Sequence, residues 1–235
     1  FFAPVKNLDG VIYVSNFAKQ KHLQYKPAFS NVPDLVLYNF AAKSNRISLA
    51  QNERKHFLYF GRLSREKGLH TLIEAFHQMP DLPLKIAGTG PEEKNLIDYV
   101  RINKIKNIEF MGFKTGDSLK QLVSEASFVI VPSECYENNP MTVIEAYSMG
   151  VPVIGAKIGG IPEILPDGKT GFVFAPKDVA GLKNVVRRAS ELNSLEYKAM
   201  SNNALQFAAD NFDEALYYLK LIDFYNKILT LNKNK

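Results

Sequence analysis

From His56 to Phe174 the chain repeats one rhythm: a short apolar run, a glycine or proline, then a stretch with helical spacing. HFLYF (56–60) closes on Gly61. In 67–79, Leu69, Leu72, Ile73 and Phe76 recur at three and four residues, the stripe of an amphipathic helix. LPLKIAG (82–88) is the next apolar run. PEEKNLIDYVRINK follows, with Pro91 suited to a first helical turn and Glu92 and Glu93 suited to its positive end. NIEFMG (107–112) precedes DSLKQLVSEA (117–126), where Asp117 is the expected cap. SFVIVPS (127–133) is apolar without alternation, which marks a strand buried on both faces. Asn139 and Pro140 open a helix running through Met149, and Gly150 stops it. VPVIGA (151–156) and GFVFAP (171–176) complete six strands. Short strands alternating with helices predict an α/β fold, a Rossmann-like doubly wound parallel sheet. Such sheets bind ligands at the carboxyl ends of their strands, where Gly61, Gly88, Gly112 and Ser133 fall.

The flanks read differently. After Lys177 three extra helices are expected, at 178–192, 194–210 and 213–231. The last carries Tyr217, Tyr218, Phe224 and Tyr225, with Phe212 just before it, and such an aromatic face needs something to pack on. Residues 1–40 read as one strand, one helix and an irregular connection ending at Asn39, the end of a domain whose beginning is absent. The expected division is 1–40, 41–212 for the main α/β domain, and 213–235 for the terminal helix.

Composition narrows the chemistry. With 46% hydrophobic and 23% charged residues the chain is an ordinary globular one. A single cysteine, Cys135, excludes an internal disulfide framework and any CxxC pair. With no Asn-x-Ser/Thr site either, the expected location is the cytoplasm. The four histidines lack metal-ligand spacing, and His70 and His77 read as solvated or packed, so no metal is expected. No apolar run approaches the roughly 18 residues that cross a bilayer. The net charge of +5 is spread along the chain, with a small cluster at Lys227, Lys233 and Lys235. No helix-turn-helix or RNA-binding signature accompanies it, so a nucleic-acid partner is disfavoured against a solvated basic surface.

Three stretches bear on chemistry, each with a plainer reading beside it. GRLSREKG (61–68) sets Arg62, Arg65 and Lys67 between two glycines at a strand-to-helix junction, which suits an anion such as a diphosphate or is simply a basic loop. AGTGP (87–91) lets a flat ring or phosphate come close, or is a tight turn; it lacks the full GxGxxG pattern of nicotinamide enzymes. PDGKT (166–170) is not a phosphate loop, because Glu163 occupies the first glycine position. In ECYENNPMTVIE (134–145), Glu137 precedes the helix that Asn139 would cap, and Glu145 lies about a turn and a half inside it. Ionised carboxylates only accept hydrogen bonds, so two of them about a positive helix end suit a ligand with an anionic centre and hydroxyls at both ends. Taken singly, they are a capping acid and a surface acid.

The combination resembles the retaining group 1 glycosyltransferases of GT-B fold. FGRLSREKGLHTLIEAF (60–76), IAGTGPEEKNL (86–96), FMGF (110–113) and the run from Pro132 to Phe174 carry the resemblance, and Glu137 and Glu145 have that family's spacing. The resemblance implies the C-terminal, donor-binding half of a GT-B enzyme that transfers a sugar from a nucleoside-diphosphate sugar, UDP or GDP, without a metal and with retention. It implies that Arg62 and Lys67 bind the diphosphate, Glu137 faces the transferred sugar and Glu145 holds the ribose. Asn139, Pro140, Met141 and Thr142 would present backbone groups, while Gly61, Gly88 and Phe113 would line the nucleotide pocket. Asn138 and Asn139 depart from the glycine or phenylalanine common after the first glutamate. It further implies a glycan or lipid-linked acceptor on the missing domain, contact with the inner face of a membrane, and a terminal helix that crosses back to that domain. The chain alone is then expected to transfer sugar weakly or not at all. An epimerase or phosphorylase of this fold and a non-catalytic nucleotide-binding module remain as alternatives.

Overall fold

A computed structural model describes residues 5–41 and 56–233. Residues 42–55, at the start of the expected main domain, and Lys235 of the basic cluster lie outside the described residues.

The N-terminal piece comprises β1 (Val11–Tyr13), α1 (Asn16–Tyr25) and β2 (Asp34–Val36). Its two strands pair parallel as a sheet of their own. β2 was not foreseen: a three-residue strand after a proline-led turn at Pro27–Asn31 has no period long enough to read.

The main body follows the expected alternation. Its strands are β3 (His56–Phe60), β4 (Leu84–Ala87), β5 (Ile108–Gly112), β6 (Ala126–Val131), β7 (Val153–Ala156) and β8 (Gly171–Phe174). Between them run α2 (Leu69–His77), α3 (Glu93–Ile102), α4 (Gly116–Ser124), α5 (Met141–Ser148) and the short α6 (Ile161–Ile164), which was not foreseen. All neighbours pair parallel, in the order β5-β4-β3-β6-β7-β8. The chain therefore builds outward from β3 in one direction, then returns to the other side of β3 and builds the opposite way.

Side chains alternate across a strand, so each strand feeds two apolar layers. Phe57 and Tyr59 of β3 and Phe128 and Ile130 of β6 join α2 and α3 on one face. Leu58, Phe60, Val129 and Val131 join α5 on the other. The rings of Phe57, Phe128 and Phe172 stack in a row 6.1 and 6.2 Å apart. Burying one such side chain stabilises the fold by roughly 1.5–3 kcal/mol.

Two expected helix starts are displaced. α4 begins at Gly116 behind Thr115, so Asp117 lies in the first turn instead of capping it. Its charge there still opposes the helix dipole favourably. Pro91 precedes α3, because the Glu92 amide donates to Leu63 O at 2.9 Å and the chain is held by the neighbouring loop before the helix begins.

α7 (Val179–Ser190), α8 (Ser194–Asn211) and α9 (Glu214–Lys233) complete the chain. α9 divides its apolar residues. Phe224 and Ile228 close over Gly10, and Tyr217 and Tyr218 meet Phe40 at 4.7 and 5.6 Å. Leu219, Ile222, Tyr225 and Leu229 are exposed. The N-terminal piece is held at its other end by Glu163 of α6. That carboxylate accepts from the first two amides of α1, Asn16 N at 2.8 Å and Phe17 N, and from Tyr38 Oη at 3.4 Å. No helix among the described residues is long and apolar enough to cross a membrane.

Candidate functional site

The strand order reverses between β3 and β6, so the loops leaving their carboxyl ends part and open a crevice. At its base the two loops touch. Gly68 has φ +72°, and a Cβ there would lie 1.9 Å from Pro132 O, so only glycine lets the chain pass. This contact brings together side chains 70 positions apart. Lys67 Nζ donates to Glu137 Oε1 at 2.6 Å, and Ser133 Oγ donates to the same oxygen at 2.8 Å. Ser133 is buried, and the ion pair is partly so. The second oxygen, Oε2, has no partner among the described residues. The Glu137 backbone is held too, its carbonyl accepting from Gly160 N at 2.6 Å.

Three cavities run along the crevice. One of about 640 Å³ is lined by Gly61, Arg62, Gly88 and Phe113. One of about 440 Å³ takes in Arg62, Lys67, Glu137, Pro140, Met141 and Thr142. One of about 300 Å³ holds Glu145 and Met141 with Phe40, Thr115 and Lys120. Gly61 and Arg62 belong to the first two, Met141 to the second and third, and Thr115 to the first and third.

Arg62 is exposed, and its guanidinium makes no ion pair or hydrogen bond among the described residues. Its carbonyl accepts from Tyr59 Oη at 2.7 Å, which pins the loop. Burial, with the charges of Glu137 and Glu66, pushes the Tyr59 phenol well above its usual range, so it remains a donor. Glu145 is half-buried, and its carboxylate has no partner among the described residues. Burial alone raises its pKa.

One expectation changes. Asn139 does not cap α5: the helix starts at Met141 behind Pro140, with no side-chain cap. Asn139 is buried and tied to the N-terminal piece instead. Its Oδ1 accepts from Asn39 N at 2.7 Å, its carbonyl accepts from Asn39 Nδ2 at 3.3 Å, and it lines none of the three cavities. Gly88 lines the largest cavity, but its want of a side chain has a nearer cause: a Cβ there would stand 1.8 Å from Gly61 O. Ser133, Thr115 and Phe40 were missed as site residues. Ser133 was within reach, standing at a strand end four residues before Glu137; nothing local pointed to Phe40.

The remaining candidates are quiet. Burial and then the Glu137 charge raise the Cys135 thiol, which leaves it unreactive. His70 meets Glu92 at 3.1 Å in an exposed pair, and His77 is exposed. No group of three or more His, Cys, Asp or Glu among the described residues is placed to hold a metal.

The crevice thus gathers Arg62, Lys67 and Glu137 at the uncapped start of α5 in one cavity, with Glu145 in the next. A doubly wound sheet with such a switch-point crevice defines a Rossmann-like domain. The chain belongs to the family described as "Glycosyl transferases group 1", whose model matches residues 41–207. Among its relatives, a glycogen synthase of Mycobacterium tuberculosis is 35% identical over 159 residues, 66% of this chain and 37% of that protein. The sulfoquinovosyl transferase SQD2 of Arabidopsis thaliana is 30% identical over 171 residues, 72% of this chain and 32% of that one. The chain therefore spans about a third of the length of these relatives. In fold it is similar to a sucrose-phosphate synthase from Thermosynechococcus elongatus, with TM-score 0.84, 21% identity, and coverage of 97% of this chain and 60% of that one. It is likewise similar to Anabaena Alr3699/HepE in complex with UDP and glucose, with TM-score 0.79, 22% identity, and coverage of 93% and 63%. The fold is the Rossmann-like fold of a GT-B glycosyltransferase domain.

Proposed function

We propose that this chain is the donor-binding part of a glycosyltransferase that takes its sugar from a nucleoside-diphosphate sugar. One observation carries the reading: Arg62 and Lys67 line one cavity together with Glu137 and the uncapped α5 start, and the adjoining cavity holds the carboxylate of Glu145, which has no partner among the described residues. A diphosphate fits the centre, where helix amides and charge-assisted donors converge. Ribose hydroxyls are the donors that Glu145 lacks. The cavity at Gly88 and Phe113 suits the base, with UDP the first candidate because the HepE structure holds UDP. Glu137 faces the transferred sugar.

In this reading Arg62, Lys67 and the α5 amides stabilise the charge that develops on the departing diphosphate, so that no metal is needed for it. The reading takes a retaining transfer in which the leaving phosphate accepts the acceptor's proton. The acceptor, a glycan or a lipid-linked saccharide, binds to the part of the enzyme that this chain does not include. Residues 1–40 are then the end of that part and 213–235 the helix that crosses to it, and the chain by itself transfers little or no sugar. The whole enzyme works in the cytoplasm, at the inner face of the membrane.

Calorimetric titration with UDP, GDP and ADP tests the donor site. One nucleotide is expected to bind at micromolar concentration. Arg62→Ala should weaken it by about 10-fold, the loss of a single charge-assisted hydrogen bond worth ~1.5 kcal/mol. No binding to the folded chain would remove the reading.

A further inference from the structure

The ion pair raises a difficulty for the site just described, and the inference here rests on that reading. Lys67 is engaged with Glu137 in the crevice, at 2.6 Å. A diphosphate in the same cavity competes for that ammonium. Phosphate oxygens are the stronger attraction for it, because they carry more charge than one carboxylate. When Lys67 turns to the diphosphate, Glu137 loses its partner and becomes a partly buried carboxylate free to rotate. The Glu137 side chain has to keep one orientation if it is to meet the sugar, since a misplaced group forfeits most of its effect.

Ser133 supplies what would otherwise be missing. It is buried, with 2% of its surface exposed, just past the carboxyl end of β6. Its hydroxyl donates to Oε1, the same oxygen that Lys67 holds, and leaves Oε2 unengaged. Both residues sit on one short loop, four positions apart, and that loop is fixed from behind by the Gly160 amide on the Glu137 carbonyl. The serine bond therefore survives the departure of Lys67. We propose that Ser133 is a positioning residue, which keeps Glu137 aimed at the transferred sugar once the donor diphosphate has drawn Lys67 away.

The proposal separates the diphosphate from the sugar, and two probes read them apart: UDP, and UDP-glucose as a donor. Ser133→Ala, Ser133→Thr and Glu137→Ala are titrated with both, and the ratio of the two dissociation constants is compared with wild type. In Ser133→Ala, UDP affinity should remain within about twofold while the ratio moves about 10-fold against UDP-glucose, the worth of one hydrogen bond to a charged group. Threonine, which retains the hydroxyl, should restore the ratio. Ser133→Ala added to Glu137→Ala should cause no further change. Equal weakening of both probes would make Ser133 a merely structural residue and overturn the proposal, as would an unchanged ratio. Failure of wild type to bind UDP or GDP would sink the donor site itself and this inference with it. Binding of UDP with a ratio that Glu137→Ala leaves unchanged would spare the donor site and overturn only the role given to Glu137 and Ser133.

Discussion

Glu137 and Glu145 stand eight positions apart, on one crevice, in opposite electrostatic conditions. Glu137 sits on the loop after β6 with two donors on one oxygen, an ammonium and a buried hydroxyl. Glu145 sits inside α5, half-buried, with no partner among the described residues and a pKa raised by burial alone. The first carboxylate is held ready before any ligand arrives. The second is desolvated without compensation, a strain that the fold tolerates and that hydroxyl donors from a ligand would relieve. A satisfied group defines geometry; an unsatisfied one marks where binding energy is gained.

The pH dependence of stability gives the largest test, provided a third group is accounted for. His56 begins β3, at the far end of the strand from the crevice, and its Nε2 is buried without a partner among the described residues. Burial, then the nearby Lys85, pull its pKa from 6.5 to about 4, against smaller opposing effects of Glu125 and the Leu122 backbone. The folded pKa lies below the unfolded one, so the unfolded chain binds more protons between the two values. Stability should therefore fall as pH drops from 6.5 towards 4, by about 3 kcal/mol in all. Glu145 has the opposite sign. Its folded pKa lies above the unfolded value, so its contribution grows as pH falls through that raised value and is complete below 4.5. Urea unfolding of wild type and His56→Gln from pH 7 to 4 should give a steep loss in the first and a much flatter profile in the second. A slope that survives in His56→Gln would place the titrating group elsewhere.

Next in size is Glu145→Ala. Nucleotide binding should weaken by about 10- to 100-fold, the loss of one or two hydrogen bonds to a charged acceptor. Thermal stability of the empty protein should hold or rise, since an uncompensated charge is removed. A fall in melting temperature together with unchanged binding would reverse the comparison and make Glu145 the structural acid of the two.

The smallest effect is expected at Lys67. Lys67→Ala leaves Glu137 with Ser133 as its one side-chain donor, and should cost about 1 kcal/mol of stability, the lower range for a partly exposed ion pair. Nucleoside diphosphate binding should drop about 10-fold in the same variant. Stability unaffected alongside weakened binding would mean that the ion pair contributes nothing to the empty fold and that the lysine acts on ligand alone.

How much of this was legible in the sequence differs from residue to residue. The strands of the main sheet could be read because burial on both faces leaves long apolar runs, and HFLYF and SFVIVPS have no other use. β2 and α6 could not, being three and four residues long, shorter than the period that would reveal them. Arg62, Lys67, Glu137 and Glu145 were singled out by the resemblance to the group 1 glycosyltransferases; taken singly they read as a basic loop, a capping acid and a surface acid. The role first given to Asn139 followed from local capping chemistry, and was displaced by a contact with Asn39, 100 positions away.

The sequence by itself determined the order of elements, the apolar layers they bury and the edge of the sheet on which polar residues gather. Each of these depends on periodicity and neighbours along the chain. Only the tertiary structure decided which of those polar residues meet: that strand order reverses between β3 and β6, that Gly68 lets two loops touch, that Lys67 and Ser133 share one oxygen of Glu137, and that Glu145 has no partner among the described residues. Partner choice depends on distances between segments far apart in the chain, and no local pattern encodes those distances.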